Sequence, residues 1–144
     1  PTPPRGLGEL VRSVRGGGIT GVLPDQVPRD INAGMNIPFF GVDCFTATLS
    51  LTLIRRSGAA AVMGTVLRTA GGFRAVYKPV EPEVYSDNNR DALAAINLGV
   101  EKLITRNEWQ YQWQYKRFRC RPAGNVDHYN WETSPLLDEA ERNR

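Results

Sequence analysis

Histidine is the scarcest catalytic residue type in this sequence: His128 is the one histidine among 144 residues. A zinc site built from several histidines therefore cannot form within the chain. A serine or cysteine triad would need His128 as its base, and no Gly-x-Ser-x-Gly motif accompanies it. The glycines at 16–18 are followed by isoleucine, which does not match a phosphate-binding loop. We expect neither a metal nor an organic cofactor.

Cysteine and long apolar runs are also sparse. Cys44 and Cys120 have no disulfide-framework or metal-ligand spacing, so we expect two reduced thiols. The longest run with few charges, 58–67, is too short to cross a bilayer. The chain opens on Pro-Thr-Pro-Pro-Arg, which resembles no signal peptide and lacks an initiator methionine. We therefore expect the chain to be a segment of a longer protein.

The composition is that of one folded domain. With 41% hydrophobic and 23% charged residues, a chain of 144 residues can bury a core. We place this domain in residues 1–121. Residues 122–144 carry five acids against two arginines, and we expect this polar acidic tail to be poorly ordered.

Positive charge is concentrated in one segment. The net charge is +3, yet 102–121 alone holds six basic residues against one acid. Aromatic residues alternate with these cations: Trp109, Tyr111, Trp113, Tyr115 and Phe118. Such a segment can stack on nucleic-acid bases or lie at a membrane interface. It can equally place its aromatics in the core and its cations on a solvated rim, and the sequence alone leaves all three open.

Hydrophobic spacing predicts the elements of the first third. Apolar residues at i, i+3, i+4 and i+7 predict a helix over 7–14, which the glycines at 16–18 would end. The run 19–23 predicts a short buried strand stopped by Pro24. Asp25 and Gln26 would then lie at the carboxyl end of that strand, where ligands collect in open α/β sheets.

Turn residues predict a loop over 27–41. Its pair Phe39 and Phe40 would either enter the core or line an apolar pocket. Residues 45–54 are ambiguous, because their alternation indicates a strand whereas their end charges and Gly58 indicate a helix.

The second half predicts a hairpin and a helix. A buried strand over 59–68, a turn at 71–72 and a partner strand over 73–79 would form the hairpin. Residues 91–106 carry a clear apolar stripe, with Ser86 or Asp87 as the cap. This order of elements indicates an α/β sheet fragment.

Six short runs in order carry a family resemblance. They are Val-Leu-Pro-Asp-Gln at 22–26, Ile-Pro-Phe-Phe-Gly at 37–41, Phe-Thr-Ala-Thr at 45–48, Arg-Ser-Gly-Ala at 56–59, Leu-Arg at 67–68, and Trp-Gln-Tyr-Gln-Trp-Gln-Tyr-Lys-Arg-Phe-Arg at 109–119. Together they resemble the C-terminal half of the bacterial lipid A biosynthesis acyltransferases of the lauroyl/myristoyl type. The matched positions span about 7–121, and each run alone is weak whereas the ordered set is specific.

The resemblance implies a fold and an activity. It implies part of an α/β, glycerolipid-acyltransferase-like domain with a mixed sheet flanked by helices, and a helix over 42–57. Its enzymes move an acyl chain from acyl carrier protein to a hydroxyacyl chain of a phosphorylated glucosamine disaccharide, a lipid A precursor. The expected location of the full-length protein is the cytoplasmic side of the inner membrane. The expected partners are acyl carrier protein, the lipid precursor and the membrane surface, with no nucleic acid.

Catalysis in the resembled family uses a His-x4-acid pair, in which the histidine deprotonates the acceptor hydroxyl. This chain has no such pair, because His128 is followed at i+5 by Thr133. We therefore expect the 144 residues to be inactive by themselves.

The resemblance also assigns site residues. Asp25 matches the acid of the family's Pro-Asp run and would support catalysis. Phe39, Phe40 and Gly41 would lie at the acyl or lipid pocket. The other substrate-binding candidates are Gln26, Thr46, Arg68, Lys116, Arg117 and Arg119, of which the cations suit a phosphorylated lipid. Two alternatives remain at this point: a nucleic-acid-binding module using 102–121, and a non-catalytic structural relative.

Overall fold

The computed structural model describes residues 4–120, 122 and 127–130. Most of the predicted tail, 122–144, lies outside the described residues. The elements in order are the helix α1 (Pro4–Arg15), the hairpin of β1 (Gly34–Phe39) and β2 (Val42–Ala47), the helix α2 (Leu49–Ser57), the hairpin of β3 (Val62–Thr69) and β4 (Gly72–Pro79), and the helix α3 (Asn89–Ile104). Three short 3-10 helices cover Ile31–Ala33, Pro82–Tyr85 and Glu108–Gln110.

The α/β class is confirmed, and the sheet has a simpler form than expected. Instead of one mixed sheet, the described strands form two separate antiparallel pairs, β1 with β2 and β3 with β4. Helix α3 packs against β1 and β3, and α1 packs against α2. Among the described residues, no helix combines the length and apolar content that crossing a membrane requires.

The predicted first helix is confirmed, and its end follows from the glycine run. Gly17 has a φ of 88°, a left-handed conformation that glycine adopts without a steric penalty. The amide of Gly18 donates to the carbonyl oxygen of Ser13 at 3.0 Å, which closes the last turn.

The predicted buried strand over 19–23 is wrong. The segment is an irregular connection, and the side chain of Ile19 is 99% exposed. A strand is stable only when a neighbour accepts its backbone hydrogen bonds, and no described strand pairs with this segment. Asp25 therefore lies in a turn, in which the Gln26 amide donates to the Leu23 carbonyl oxygen at 3.4 Å.

The predicted loop over 27–41 is right for the stretch before β1 and for the turn at 40–41, and wrong for 34–39, which form β1. Gly34 pairs with Ala47 and Phe39 with Val42, so the register covers all six residues of each strand. Pro38 made this stretch resemble a loop, but a strand with only one neighbour tolerates a missing amide.

Residues 42–57 contain both of the elements that the sequence could not separate. The strand prediction is right as far as Ala47, and the helix prediction is right from Leu49 onward. Helix α2 ends at Gly58, which has a φ of 69° and donates its amide to the Ile54 carbonyl oxygen at 2.8 Å. The helix implied over the whole of 42–57 is therefore wrong for its first six residues.

The predicted hairpin and third helix are confirmed, but the hairpin turn lies at 70–71 and not at 71–72, because Gly72 pairs with Thr69. Two further corrections concern burial and capping. Strand β3 buries only one face: Leu67 is buried, whereas Val62 and Val66 on the other face are exposed. The cap of α3 is Asn88, whose side chain accepts from the Arg90 amide at 2.9 Å, and is neither Ser86 nor Asp87.

The core forms where α3 meets β1 and α2. Its buried apolar residues are Ile37, Leu51, Val84, Ala92, Leu93, Ala95 and Ile96. A polar network lies beside them and centres on the fully buried Thr46. The Thr46 hydroxyl accepts from Arg117 at 2.9 Å and from Asn97 at 3.2 Å, and donates to the Cys44 carbonyl oxygen at 3.3 Å. This network ties the segment after α3 to β2.

We predict that Thr46→Val destabilises the protein by about 1–3 kcal/mol, because it leaves buried donors of Arg117 and Asn97 without their acceptor while keeping the side-chain shape. The measurement is the free energy of unfolding from urea titration. Thr65→Val, the same change on β3, is the matched control and should cost well under about 1 kcal/mol. Equal effects of the two changes would contradict the role given to the Thr46 hydroxyl.

Candidate functional site

Asp25 contacts the aromatic segment that follows α3. Its carboxylate oxygen Oδ2 accepts a hydrogen bond from the Tyr111 hydroxyl at 2.9 Å. The Tyr111 ring meets the Trp113 ring edge-on, with centroids 4.8 Å apart. No described residue donates to the second carboxylate oxygen of Asp25, which leaves that oxygen available to a ligand.

A cavity of about 180 Å³ opens beside this pair. Strand β3 and helix α3 supply most of its apolar wall, with Val66, Leu67, Val100, Leu103 and Ile104. Its polar lining residues are Asp25, Thr65, Asn107, Gln110 and Tyr111. A few polar groups converging on an apolar cleft is typical of small-molecule sites. The carboxylate could accept a hydrogen bond from a ligand hydroxyl or orient a cationic group.

The environment of Tyr111 keeps its hydroxyl protonated. Burial raises the pKa of Tyr111 well above its ordinary value of 10.0, and the adjacent carboxylate of Asp25 raises it further. A phenol is protonated at neutral pH in any case, and the raised pKa extends to higher pH the range in which Tyr111 donates to Asp25. This bond holds the carboxylate in one orientation.

The turn that carries Asp25 is held at a second point. The Val27 amide donates to the Tyr115 hydroxyl at 2.8 Å, and the Val27 carbonyl oxygen accepts from Arg119 at 3.2 Å. The Arg119 guanidinium also lies over the Tyr115 ring, 5.2 Å from its centroid. Residues spaced by four, at 111, 115 and 119, thus hold the loop in place.

The predicted aromatic pair is divided between the core and the surface. Phe39 is buried against Phe118, whereas Phe40 is 41% exposed and lies 6.2 Å from Trp113, centroid to centroid.

Phe40 and Gly41 form the two-residue turn of the first hairpin with φ values of 48° and 74°. Positive φ at both positions matches a type I′ turn, a conformation that is strained for phenylalanine. The turn holds an aromatic side chain outward at a conformational cost.

The four predicted phosphate-binding cations have different environments. Arg117 is 2% exposed and donates to the Phe45 carbonyl oxygen at 2.7 Å and to Thr46. Lys116 lies over the Tyr129 ring at 5.5 Å, and Arg119 holds the Asp25 turn. Arg68 is exposed, and among the described residues nothing bonds its guanidinium. The Gln26 side chain is exposed beside Asp25.

Sequence reasoning missed three residues that complete the site. Tyr111 and Gln110 line the cavity, and Asn97 supports Thr46 and the Pro38 carbonyl oxygen, the latter at 2.8 Å. The four-residue spacing of Tyr111, Tyr115 and Arg119 was the signal that could have identified the support of the loop. Within the described part of the chain, no three potential metal ligands come together.

Comparison with known proteins gives one consistent result. Residues 2–120 match the family model described as "Bacterial lipid A biosynthesis acyltransferase". The lipid A biosynthesis palmitoleoyltransferase of Escherichia coli K12 is 38% identical over 95 residues, covering 64% of this chain and 31% of the relative. The lipid A biosynthesis lauroyltransferase of the same organism is 29% identical over 125 residues, covering 83% of this chain and 40% of the relative. The chain therefore spans less than half of either relative.

We predict that Tyr111 titrates only above its ordinary pKa of 10.0 in the folded protein. Because the folded-state pKa is raised, the stability contributed by the protonated phenol is complete below pH 10.0 and is lost as the pH rises through the folded-state pKa. Near-ultraviolet tyrosinate absorbance, compared between the parent and Tyr111→Phe, isolates this group. Asp25→Asn removes one of the causes and should lower the pKa of Tyr111. An unchanged titration in Asp25→Asn would contradict the pairing.

Proposed function

The chain belongs to the bacterial lipid A biosynthesis acyltransferase family, and from this membership we propose that the full-length protein transfers a fatty acyl chain to a lipid A precursor. The donor is an acyl thioester of acyl carrier protein, and the acceptor is a hydroxyl on an acyl chain of a phosphorylated glucosamine disaccharide. The hydroxyl oxygen forms the new ester as the thioester bond breaks. The carrier leaves as its free thiol, taking up the proton that the hydroxyl loses.

The structural observation that carries this proposal is the pairing of Asp25 with Tyr111 in the lining of the cavity. Asp25 belongs to the run at 22–26 that matches the family, and Tyr111 belongs to the run at 109–119, far away in sequence. The fold brings the two within 2.9 Å. Two family runs meeting at one cavity indicates that they serve one site.

Asp25 acts in this proposal as a positioning residue. The proton of the acceptor hydroxyl is removed by the histidine of the family's His-x4-acid pair, which does not occur among these 144 residues. Asp25 presents its second carboxylate oxygen to the bound acceptor or to the cationic form of that histidine. The chain is therefore inactive without the residues that carry the pair.

The exposed aromatics support contact with a membrane surface. Phe40 is 41% and Trp113 is 52% exposed, and the two lie together at the tip of the first hairpin. Aromatic side chains at such a position favour the interface between lipid and water. We place this tip against the cytoplasmic leaflet of the inner membrane, where a lipid acceptor would be encountered.

The same contacts argue against nucleic-acid binding through 102–121. Duplex or single-stranded nucleic acid needs several free cations to neutralise phosphates. Of the six cations in this segment, Arg106 is exposed and Arg121 lies outside the described residues, whereas the other four make contacts. Arg117 is buried, and Arg119 donates to the Val27 carbonyl oxygen. Lys102 pairs with Glu81, and Lys116 lies on Tyr129. Because these four cations already contact protein groups, the segment suits the acyltransferase proposal better than nucleic-acid binding.

We predict that Asp25→Asn lowers acyl transfer by the full-length protein about 100-fold, the cost of a misplaced reactive group. The change removes the charge and keeps the size of the side chain. The assay follows transfer of a labelled acyl chain from acyl carrier protein to a lipid A precursor.

Asp87→Asn is the matched control, because Asp87 is an exposed aspartate outside the cavity lining. It should retain full transfer. Undiminished transfer by Asp25→Asn would remove Asp25 from the site, and absence of transfer by the unmodified protein would overturn the proposed function.

We predict that Phe40→Ser and Trp113→Ser each weaken partition of the protein into anionic phospholipid vesicles about tenfold, the loss expected from one partly inserted aromatic. Co-sedimentation with vesicles measures the effect. Tyr77→Ser, which removes an exposed aromatic on the second hairpin, is the control and should partition as the parent does. Equal losses in all three variants would show that the tip has no special role.

A further inference from the structure

A second, larger cavity lies next to the one that contains Asp25. It has a volume of about 480 Å³ and is lined by Val66, Arg68, Phe73, Trp109 and Gln110. Val66 and Gln110 line both cavities, so the two are adjacent. A ligand could therefore occupy the larger cavity and extend into the smaller one.

The fold brings the lining residues together from distant parts of the chain. In the hairpin register Arg68 lies opposite Phe73, so the two share a face of β3 and β4. Gln110 accepts from the Arg68 amide at 2.7 Å and donates to the Arg68 carbonyl oxygen at 3.1 Å. These two hydrogen bonds to the backbone of Arg68 dock the short helix Glu108–Gln110 on the strand. They thereby place Trp109 at the cavity.

The lining has an unusual chemical character. Phe73 is 74% and Trp109 is 75% exposed, although large aromatics are normally covered. The guanidinium of Arg68, which also lines the cavity, makes no hydrogen bond or ion pair to any described residue. The surface thus combines two exposed aromatic side chains with one cation that makes no hydrogen bond or ion pair to a described residue.

These groups match a phosphorylated sugar. The face of an aromatic ring carries partial negative charge and attracts the slightly positive C–H groups on one side of a pyranose ring. A guanidinium donates two parallel hydrogen bonds to phosphate oxygens. The cavity is open to solvent, because Val66, Phe73 and Trp109 in its lining are exposed, so a ligand bound there would stay partly hydrated.

We propose that this cavity binds the phosphorylated glucosamine headgroup of the acceptor, with the phosphate on Arg68 and a sugar ring against Trp109 and Phe73. The assignment rests on the proposed function for the identity of the ligand. A headgroup held here would leave the attached acyl chain next to the cavity of Asp25 and Tyr111, where its hydroxyl reacts. Among the described residues, Arg68 is the one cation in the lining, which suits a single phosphate better than a nucleic-acid backbone.

The test measures binding separately from transfer. The probe is the deacylated, bisphosphorylated glucosamine disaccharide, and the comparison ligand is the same disaccharide without phosphates, both titrated calorimetrically into the full-length protein. Arg68→Gln should weaken binding of the phosphorylated ligand about tenfold and abolish the preference for it. Trp109→Ala and Phe73→Ala should weaken both ligands by a similar factor.

Two controls match these changes. Arg74→Gln removes an exposed arginine that follows Phe73 on β4 and therefore points to the opposite face of the hairpin. Tyr77→Ala removes an exposed aromatic that does not line the cavity. Both should bind the disaccharide as the parent does, and circular dichroism should show that every variant is folded.

The outcomes separate the subsite from the activity. Asp25→Asn should lose transfer yet keep disaccharide binding. If transfer depends on Asp25 while binding ignores Arg68, Trp109 and Phe73, the subsite is wrong and the proposed function stands. If the protein transfers no acyl chain yet binds the sugar through these residues, the proposed function fails alone. Displacement of the disaccharide by a short single-stranded oligonucleotide at equal phosphate concentration would overturn the sugar assignment in favour of nucleic acid.

Discussion

The structure depends on one buried cation. Arg117 reaches from the segment after α3 into the space beside β2, where its guanidinium donates to the Phe45 carbonyl oxygen and the Thr46 hydroxyl. A charge that leaves water is costly unless polar groups surround it. Thr46, the carbonyl of Phe45 and the ring of Phe39, 5.3 Å from the guanidinium carbon, provide part of that environment, whereas the buried Nε has no partner among the described residues. These partners are all on the first hairpin, so the contacts of Arg117 set the register in which the segment docks.

This register determines the geometry of the candidate site. Once Arg117 is fixed, residues 111, 115 and 119 lie along one side of the segment and meet the turn at 24–27. Tyr111 then bonds Asp25, and Tyr115 with Arg119 holds Val27. The segment is irregular in backbone and would have little preference for one conformation by itself. Its order comes from side chains that bond to backbone groups elsewhere, which is why the site can be rigid without being built on a helix or strand.

The sequence predicted the elements whose determinants are local, and failed where neighbours decide. Helix α3 and the second hairpin follow from an apolar stripe and a glycine turn, and both were found. The strand over 19–23 was predicted from composition, but composition cannot supply a partner for its backbone. Strand β1 was missed for the converse reason: its proline and asparagine resemble a loop, and only pairing with β2 makes it a strand. The order of short runs identified the family, whereas the contact of Asp25 with Tyr111 joins positions 86 apart and could not be derived from spacing.

The cations show most clearly what position adds to chemistry. Arg68 and Arg117 have the same side chain, and in the sequence both were candidates for phosphate. In the fold, Nη1 and Nη2 of Arg117 donate to the Phe45 carbonyl oxygen and the Thr46 hydroxyl, whereas its buried Nε has no partner among the described residues. The two bonds dock one segment of the chain on the first hairpin. Arg68 is held by backbone bonds to Gln110, which leaves its guanidinium free of partners among the described residues. A ligand-binding residue needs a fixed backbone and a functional group that makes no hydrogen bond within the protein. Arg68 meets both conditions, whereas the guanidinium of Arg117 is already hydrogen-bonded. This difference in hydrogen bonding, rather than residue type, makes Arg117 structural and Arg68 suited to a ligand.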